Sequence, residues 1–422
     1  MQSAGTVVVL AAGQGTRMRS ALPKVLHEVC GRPLLGWVLD QARALDPERI
    51  VVVTGHAEAA VREYVEQFES DPRITFAHQS VQYGTGHAVE VALANFRGVG
   101  GSCVVLYGDM PLVRAESLVR LVGQLKAARA AATTAIVDQP RGFGRILRSD
   151  DGAFRGIVEE RDASPKQRSI REVNVGVYAF LVEDLELLLP ELERNNAQGE
   201  LYLTDVLTRI AERGDTIATV ELEDPSDAIG INTLAHLAEA RTAIQMRILE
   251  QHLENGVKII DPATTYIDHG VTIGAGTEIL PCTVIRGDVV IGERCEVGPF
   301  THLRAGTRLA DGAEIGNFCE AKKAVVGPGT KAKHLTYLGD VTIGAKANIG
   351  AGTIVANYDG THKHLTTIGD RAFVGSGSVL IAPCAVGDDA LTGGGAVVTR
   401  NASIPPGEAW VGVPARPLPK KR

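Results

Sequence analysis

The chain has 422 residues, enough for two or three domains that each bury a core. A composition of 45% hydrophobic and 22% charged residues is that of an ordinary globular protein, and a net charge of −7 with no basic cluster beyond Lys420-Lys421-Arg422 argues against nucleic acid as a partner while leaving small anions open. No apolar run reaches membrane-spanning length, and Cys30, Cys103, Cys282, Cys295, Cys319 and Cys384 form no CxxC pair, which argues against a zinc site and a dense disulfide framework and makes a reducing cytoplasm the simplest compartment.

Short β runs at Val7–Leu10, Ile50–Val53, Ile74–Ala77, Cys103–Tyr107 and Thr134–Val137 alternate with helical stretches such as Leu34–Leu45 and His87–Ala94. That alternation predicts a Rossmann-like, doubly wound α/β domain over residues 1–225. A helical segment near Thr233–Asn255, within a linker at 226–255, leads into a different pattern over 256–422. Ile267, Ile273, Ile279, Ile285, Ile291, Val297, Leu303, Leu309 and Ile315 stand six apart. The series returns at Ile343, Ile349 and Val355, resumes at Ile368, Val374, Leu380 and Val386, skips Thr392, and continues at Val398 and Ile404. A period of six is too long for a strand and incommensurate with a helix, so each hexad must be a short strand plus a turn, stacked as a parallel β-helix. The phase is lost between Ile315 and Ile343 and again over Tyr358–Leu365, which predicts loops leaving the coil there, and such departures tend to carry function.

Directly after the first strand comes Leu10-Ala11-Ala12-Gly13-Gln14-Gly15-Thr16-Arg17-Met18. Two glycines let the backbone approach a ligand closely, helix-start amides face an anion, and Arg17 adds positive charge, an arrangement suited to a phosphate chain. The third glycine of a dinucleotide fingerprint and the Gly-Lys-Ser/Thr of a P-loop are both missing, which disfavours those readings. Pro23-Lys24-Val25-Leu26 places a lysine where it can return to the same phosphates, and Asp109, at the end of an apolar strand, is placed to hold a cation rather than to serve the core.

The first motif and Pro23-Lys24-Val25-Leu26, continued by Gln79, Gly84-Thr85-Gly86-His87-Ala88 and Leu106-Tyr107-Gly108-Asp109-Met110-Pro111, resemble the signature of sugar-nucleotide pyrophosphorylases. Joined to hexad repeats that contain His334-Leu335-Thr336-Tyr337-Leu338-Gly339-Asp340 and Asn357-Tyr358-Asp359-Gly360, they resemble the bacterial bifunctional N-acetylglucosamine-1-phosphate uridyltransferase/glucosamine-1-phosphate N-acetyltransferase family over nearly the whole chain. The resemblance implies an α/β nucleotidyltransferase domain followed by a left-handed parallel β-helix, UTP and acetyl-CoA as co-substrates with the two sugar phosphates, Mg²⁺ as cofactor, and a homotrimer in the cytoplasm. A single-activity sugar-1-phosphate nucleotidylyltransferase with a scaffold β-helix is the alternative.

For the first reaction, Arg17 and Lys24 suit the triphosphate, and the backbone from Leu10 through Ala11 and Ala12 to Gly13 would cradle the nucleotide. The resemblance assigns the uracil to Gln79, Gly84 and Thr85, extends the nucleotide-sugar site to Tyr107, Gly108 and Asp109, gives the metal to Asp109 and Asn232, and gives the sugar to Gly144, Glu159 and Asn174. For the second reaction, an ammonium must lose a proton before it can attack, and His334 is the candidate base. Glu320 is suited to orient that imidazole or hold the amine, Arg304 and Lys322 to bind the sugar's phosphate, and Tyr337 and Asn348 to complete the sugar contacts. The resemblance points to Ala351, Asn357, Tyr358, Ser376 and Gly394 for acetyl-CoA, although the last is usually alanine in that family. One departure is plain: Gly412 precedes Val413-Pro414 where the family pattern has an arginine for the CoA phosphates, leaving Arg416, Lys420 or Lys421 to substitute.

Overall fold

The computed structural model describes residues 5–13 and 15–419. Lys420 and Lys421 lie outside the described residues. The chain divides into two compact units, Met1–Arg241 and Thr242–Arg422, the division falling inside the helix Leu234–Glu254.

In the first unit the strand Thr6–Leu10 pairs in parallel with Arg49–Thr54 on one side and Ser102–Tyr107 on the other, and Arg49–Thr54 pairs in parallel with Ile74–His78. Because the pleat alternates, Val7 and Val9 pack on one face with Leu35 and Leu39 of the helix Leu34–Ala44, while Val8 packs on the opposite face with Val89 and Leu93 of the helix Thr85–Leu93. Both faces are covered, which is why the strand reads as an unbroken apolar run. The long strand Glu172–Leu181 enters antiparallel between Ser102–Tyr107 and Ala130–Ile136. Its neighbour begins four residues earlier than the β run at Thr134 suggests, because Ala130, Ala131 and Ala132 are fully buried in the sheet. Alanine favours helices in isolation, and burial between strands overrides that preference.

The second unit is a parallel β-helix of the left-handed hexapeptide-repeat class. Ile279 pairs with Val297 and Val297 with Ile315, so one turn of the coil takes eighteen residues. Its interior is the aliphatic column read from the hexads, with Ile279, Ile285, Val297, Leu303 and Ile315 fully buried. Threonines near the corners return their hydroxyls to the backbone, as Thr277 does to Gly292 O at 2.8 Å and Thr353 to Gly350 O at 2.7 Å.

Contrary to expectation, no loop leaves the coil between Ile315 and Ile343. Ile315 pairs with Ala332 and Ala332 with Ile349, so these turns take seventeen residues, and the inward positions are Ala321, Val326, Ala332 and Leu338. Two steps of five residues reset the phase without breaking the stack. The interruption after Val355 is a true excursion, because Val341 pairs with Thr366 across a twenty-five-residue turn.

Close stacking leaves no room for a side chain at several corners. A Cβ on Gly316 would lie 2.1 Å from the Lys333 carbonyl oxygen, whereas one on Gly394 would meet its nearest atom, the Ser376 oxygen, at 3.6 Å. Gly316→Ala is therefore expected to destabilise the β-helix by about 2 kcal/mol, the cost of overpacking. Thermal unfolding followed by circular dichroism checks this, with Gly394→Ala expected to leave the midpoint unchanged.

Candidate active sites

Parallel pairing brings Leu10, Thr54, His78 and Tyr107 to the same edge of the sheet, and the neighbours of the first strand lie on opposite sides of it, so a crevice opens at the strand ends. The loop after Leu10 is pinned by Ala11 N–H to Val53 O at 2.9 Å, and Gly108 N–H returns to Leu10 O at 2.9 Å. Gly15 has φ +61°, and a Cβ there would lie 2.6 Å from Lys24 Cβ, so this glycine lets the loop fold against Lys24. Lys24 Nζ donates to Asp109 Oδ2 and, at 3.2 Å, to Asn232 Oδ1, which also accepts from Arg17 Nη2 at 2.8 Å. Asn232 reaches this point because Ile231 N–H donates to Asp109 O at 2.9 Å. Two cations, one carboxylate and one amide oxygen thus meet at the mouth of the crevice.

Two cavities open from that cluster. One of about 260 Å³ is walled by Leu10, Ala12, Gly13, Lys24, Gln79 and Gly84. The other, about 500 Å³, is walled by Arg17, Gly144, Glu159, Asn174 and Asn232. Thr85, Tyr107 and Asp109 border both. The sequence-predicted residues of this unit therefore gather around one divided pocket, with Ala11 and Gly108 forming the backbone beside it.

Asn174 is held by its amide donating to Tyr178 Oη at 2.7 Å and its oxygen accepting from Gly176 N–H at 3.2 Å. Glu159 is held above the usual carboxylate range by burial, reinforced by the nearby charge of Asp162. Sequence reasoning missed Glu200, which borders both cavities, and Gln82, which donates to Ala12 O. The segment that carries Glu200 is tied to the Gly84 region by Gly86 N–H to Leu201 O at 2.8 Å and Leu201 N–H to Tyr83 O at 2.6 Å. No spacing in the sequence announces that contact.

In the β-helix the register sorts the predicted residues into columns. Asn317 pairs with His334, and the backbone bonds Gly352 N–H to His334 O, Gly377 N–H to Ala351 O and Gly395 N–H to Ser376 O stack His334, Ala351, Ser376 and Gly394 on successive turns. Above His334 that column is made of the small residues Ala351, Ser376 and Gly394. Glu320 and Tyr337 pair directly in a second column. Arg304 and Lys322 follow one another in a third, which continues at Gly339.

His334 lies on the strand Lys331–His334 rather than on a projecting loop. Its Nδ1 is 2.7 Å from Asn317 Oδ1. Glu320 does not touch the imidazole and accepts instead from Arg304 Nη1 at 2.7 Å. The partner that orients His334 is therefore Asn317, one turn away. Lys322 lies against Lys363, and the side-chain contact between the two amines, followed by desolvation and the repulsion of the second charge, lowers its affinity for a proton. Asn357 is buried and donates to Asp340, Tyr358 and Arg416 are exposed, and Asn348 pairs with Lys331 and Phe373 on neighbouring turns.

Comparison with known proteins covers the same ground. Residues 7–200 match the family described as MobA-like NTP transferase domain. The chain is similar along its length to the Bifunctional protein GlmU of Trichlorobacter lovleyi, 43% identical with 94% of each chain covered, and to that of Geobacter sulfurreducens, 41% identical with 93% of each covered. The Streptomyces avermitilis protein of the same name is 43% identical, over 96% of this chain and 91% of the other.

Glu159 gives a test that needs no substrate. Its folded-state pKa is raised, so the half-buried carboxyl is tolerated at low pH and becomes a cost to folding as pH rises past the ordinary carboxylate range. Glu159→Gln is expected to stabilise the ligand-free N-terminal unit by about 1 kcal/mol at pH 8, on the scale of desolvating one polar group, and to give no gain at pH 4. Denaturant titrations at the two pH values check the sign.

Proposed function

This chain belongs to the GlmU family of bifunctional transferases, and from that premise we propose how its two units divide uridyl transfer and acetyl transfer in the synthesis of UDP-N-acetylglucosamine. The N-terminal unit transfers UMP from UTP to N-acetylglucosamine-1-phosphate with release of pyrophosphate. The C-terminal unit acetylates glucosamine-1-phosphate with acetyl-CoA. The observation that carries the first assignment is the cluster of Arg17, Lys24, Asp109 and Asn232 at the junction of two cavities, one lined by the residues assigned to the nucleotide and one by those assigned to the sugar phosphate.

In uridyl transfer a phosphate oxygen of the sugar phosphate attacks the α-phosphorus of UTP, and the bond to the bridging oxygen breaks as pyrophosphate leaves. Both reactants are already anionic, so the protein's work is to position them and neutralise charge. Gln79, Gly84 and Thr85 hold the base, the backbone of Leu10–Gly13 and Gly108 lies along the nucleotide, and Arg17 and Lys24 meet the phosphates. Gly144, Glu159 and Asn174 offer carbonyl, carboxylate and amide partners to the sugar. Asp109 and Asn232 would hold Mg²⁺ through two hard oxygens, supported by the convergence of both oxygens on the Lys24 ammonium, and the ion would supply charge neutralisation on the phosphates. Such a ligand set is small, as expected for a metal that keeps waters and substrate oxygens.

In acetyl transfer the substrate amine attacks the thioester carbonyl, the C–S bond breaks, and CoA leaves as the thiol. With Asn317 Oδ1 accepting from Nδ1–H, His334 keeps the Nε2 lone pair free to take the ammonium proton. Arg304, Lys322, Tyr337 and Asn348 bind the amino-sugar phosphate with Glu320 nearby. The pantetheine arm follows the small column of Ala351, Ser376 and Gly394 beside Asn357 and Tyr358, and Arg416 meets the CoA phosphates in place of the residue lost at Gly412.

We further propose that the protein acts as a homotrimer in the cytoplasm. No helix among the described residues is long and apolar enough to cross a membrane. One corner of the coil exposes Phe300, Phe318 and Leu335 on successive turns, with the two phenylalanine rings stacked at 5.2 Å, and an exposed apolar ladder of this kind favours burial against another copy. Phe318 and Leu335 directly follow Asn317 and His334, so association through this ladder would bring a second subunit to the proposed acetyl-transfer site.

His334→Ala is expected to lower thiol release from acetyl-CoA and glucosamine-1-phosphate by at least about 10²-fold, the usual worth of a general base, while leaving pyrophosphate release from UTP and N-acetylglucosamine-1-phosphate unchanged. Asp109→Asn is expected to do the reverse. A native protein that releases pyrophosphate but no thiol would reduce the β-helix to a scaffold. Phe318→Asp is expected to shift the sedimentation coefficient from trimer toward monomer and to lower acetyl transfer with it.

A further inference from the structure

Gln79 is buried, and its backbone N–H is tied to Thr54 O at 2.8 Å. Its side-chain Nε2 stands 3.1 Å from Gly84 O and 3.0 Å from His87 Nδ1. A carbonyl oxygen can only accept, so the atom facing Gly84 must be the amide nitrogen, and its second hydrogen is then directed at His87 Nδ1. His87 must accept, which puts its own proton on Nε2. Both amide hydrogens are thereby committed to protein. No described residue donates to Gln79 Oε1, and this oxygen is not sealed in the interior. Gln79 lines the smaller cavity, and His87 stands behind it, packed against Tyr83 with ring centroids 5.3 Å apart, while the Arg194 guanidinium covers Tyr83 at 4.5 Å.

We propose that His87 is a positioning residue for base selection: by accepting from Gln79 it locks that amide with its oxygen toward the cavity, so the site takes a pyrimidine that offers a ring N–H. Uracil and thymine carry a donor at N3. Cytosine carries a lone pair there, which would face the Gln79 oxygen without a proton between them. The donor pattern thus separates UTP from CTP and does not by itself separate UTP from dTTP. This inference rests on reading the smaller cavity as the site of the nucleobase.

The test is steady-state pyrophosphate release with N-acetylglucosamine-1-phosphate and either UTP or CTP, expressed as the ratio of kcat/KM for the two nucleotides. His87→Leu removes the acceptor and is expected to lower that ratio about tenfold, on the scale of one hydrogen bond, through a raised KM for UTP with kcat little changed. His87→Asn places an acceptor oxygen where Nδ1 stood and is expected to restore the ratio. His87→Ala removes the acceptor without adding bulk and carries the same expectation should His87→Leu fail to fold. A ratio unchanged in a folded variant without the acceptor, or lost equally in His87→Asn, would overturn the role of His87. Gln79→Ala is measured alongside. If it leaves the ratio unchanged, the base is not read in this cavity and the underlying assignment fails; if it collapses the ratio while His87→Leu does not, only the inference about His87 fails.

Discussion

Parallel strand pairing is the constraint on which both halves of this protein depend. In the N-terminal sheet it sends the ends of Thr6–Leu10, Arg49–Thr54, Ile74–His78 and Ser102–Tyr107 to one edge, so the loop after Leu10, Gln79 and Asp109 meet without being near in sequence. In the C-terminal coil it repeats the chain on itself every seventeen or eighteen residues outside the single excursion after Val355, so a column such as Asn317, His334 and Ala351 is produced by register alone. Parallel pairing requires crossover connections, supplied in one case by helices and in the other by two further faces of the prism. What a residue can touch is then set by its position along the strand, and a one-residue slip would move every functional group to the wrong face.

This explains what the sequence made legible. The hexads were readable because each buries one aliphatic residue per side of the prism. The register between Ile315 and Ile343 was not, because Ala321 and Ala332 are too common to mark an inward position and two steps shorten from six residues to five. The apparent loss of phase therefore suggested a loop where the coil runs on, and His334, expected on that loop, stands on a strand. In the N-terminal unit the glycine loop and Lys24 were legible because a phosphate-binding backbone needs glycine at fixed places, and Gly15 is held at positive φ against Lys24. Glu200 and Gln82 were not legible, since they arrive through long-range packing and a single contact to backbone, and neither imposes a pattern on its neighbours.

Partner choice was the least readable property. Glu320 was suited on chemical grounds to orient His334, but the coil places it beside Arg304, and the histidine receives Asn317 instead. An amide in that role fixes the tautomer without adding negative charge. A carboxylate would raise the basicity of the imidazole and favour its protonated form, which cannot accept a proton from the amine. The neutral partner suits the proposed role of His334 as a base, which would have to enter the reaction unprotonated.

Both proposed phosphate sites hold their cations against carboxylates: Lys24 on Asp109, and Arg304 on Glu320 at 2.7 Å. A partly buried ammonium or guanidinium without a counter-charge would be costly to desolvate, so each anion stabilises the ligand-free form. An incoming phosphate replaces one anionic partner with another, and the released carboxylate must then find a new positive charge. At the N-terminal site the proposed Mg²⁺ would supply it to Asp109, which links metal and phosphate binding through the lysine that touches both partners. At the proposed C-terminal site the charge available to Glu320 would be the substrate ammonium. The same exchange would therefore draw the amine toward the site as its phosphate binds, and would favour an amino sugar over one whose nitrogen is already acetylated and carries no charge. The Arg304–Glu320 pair would then couple phosphate recognition to recognition of the group that reacts.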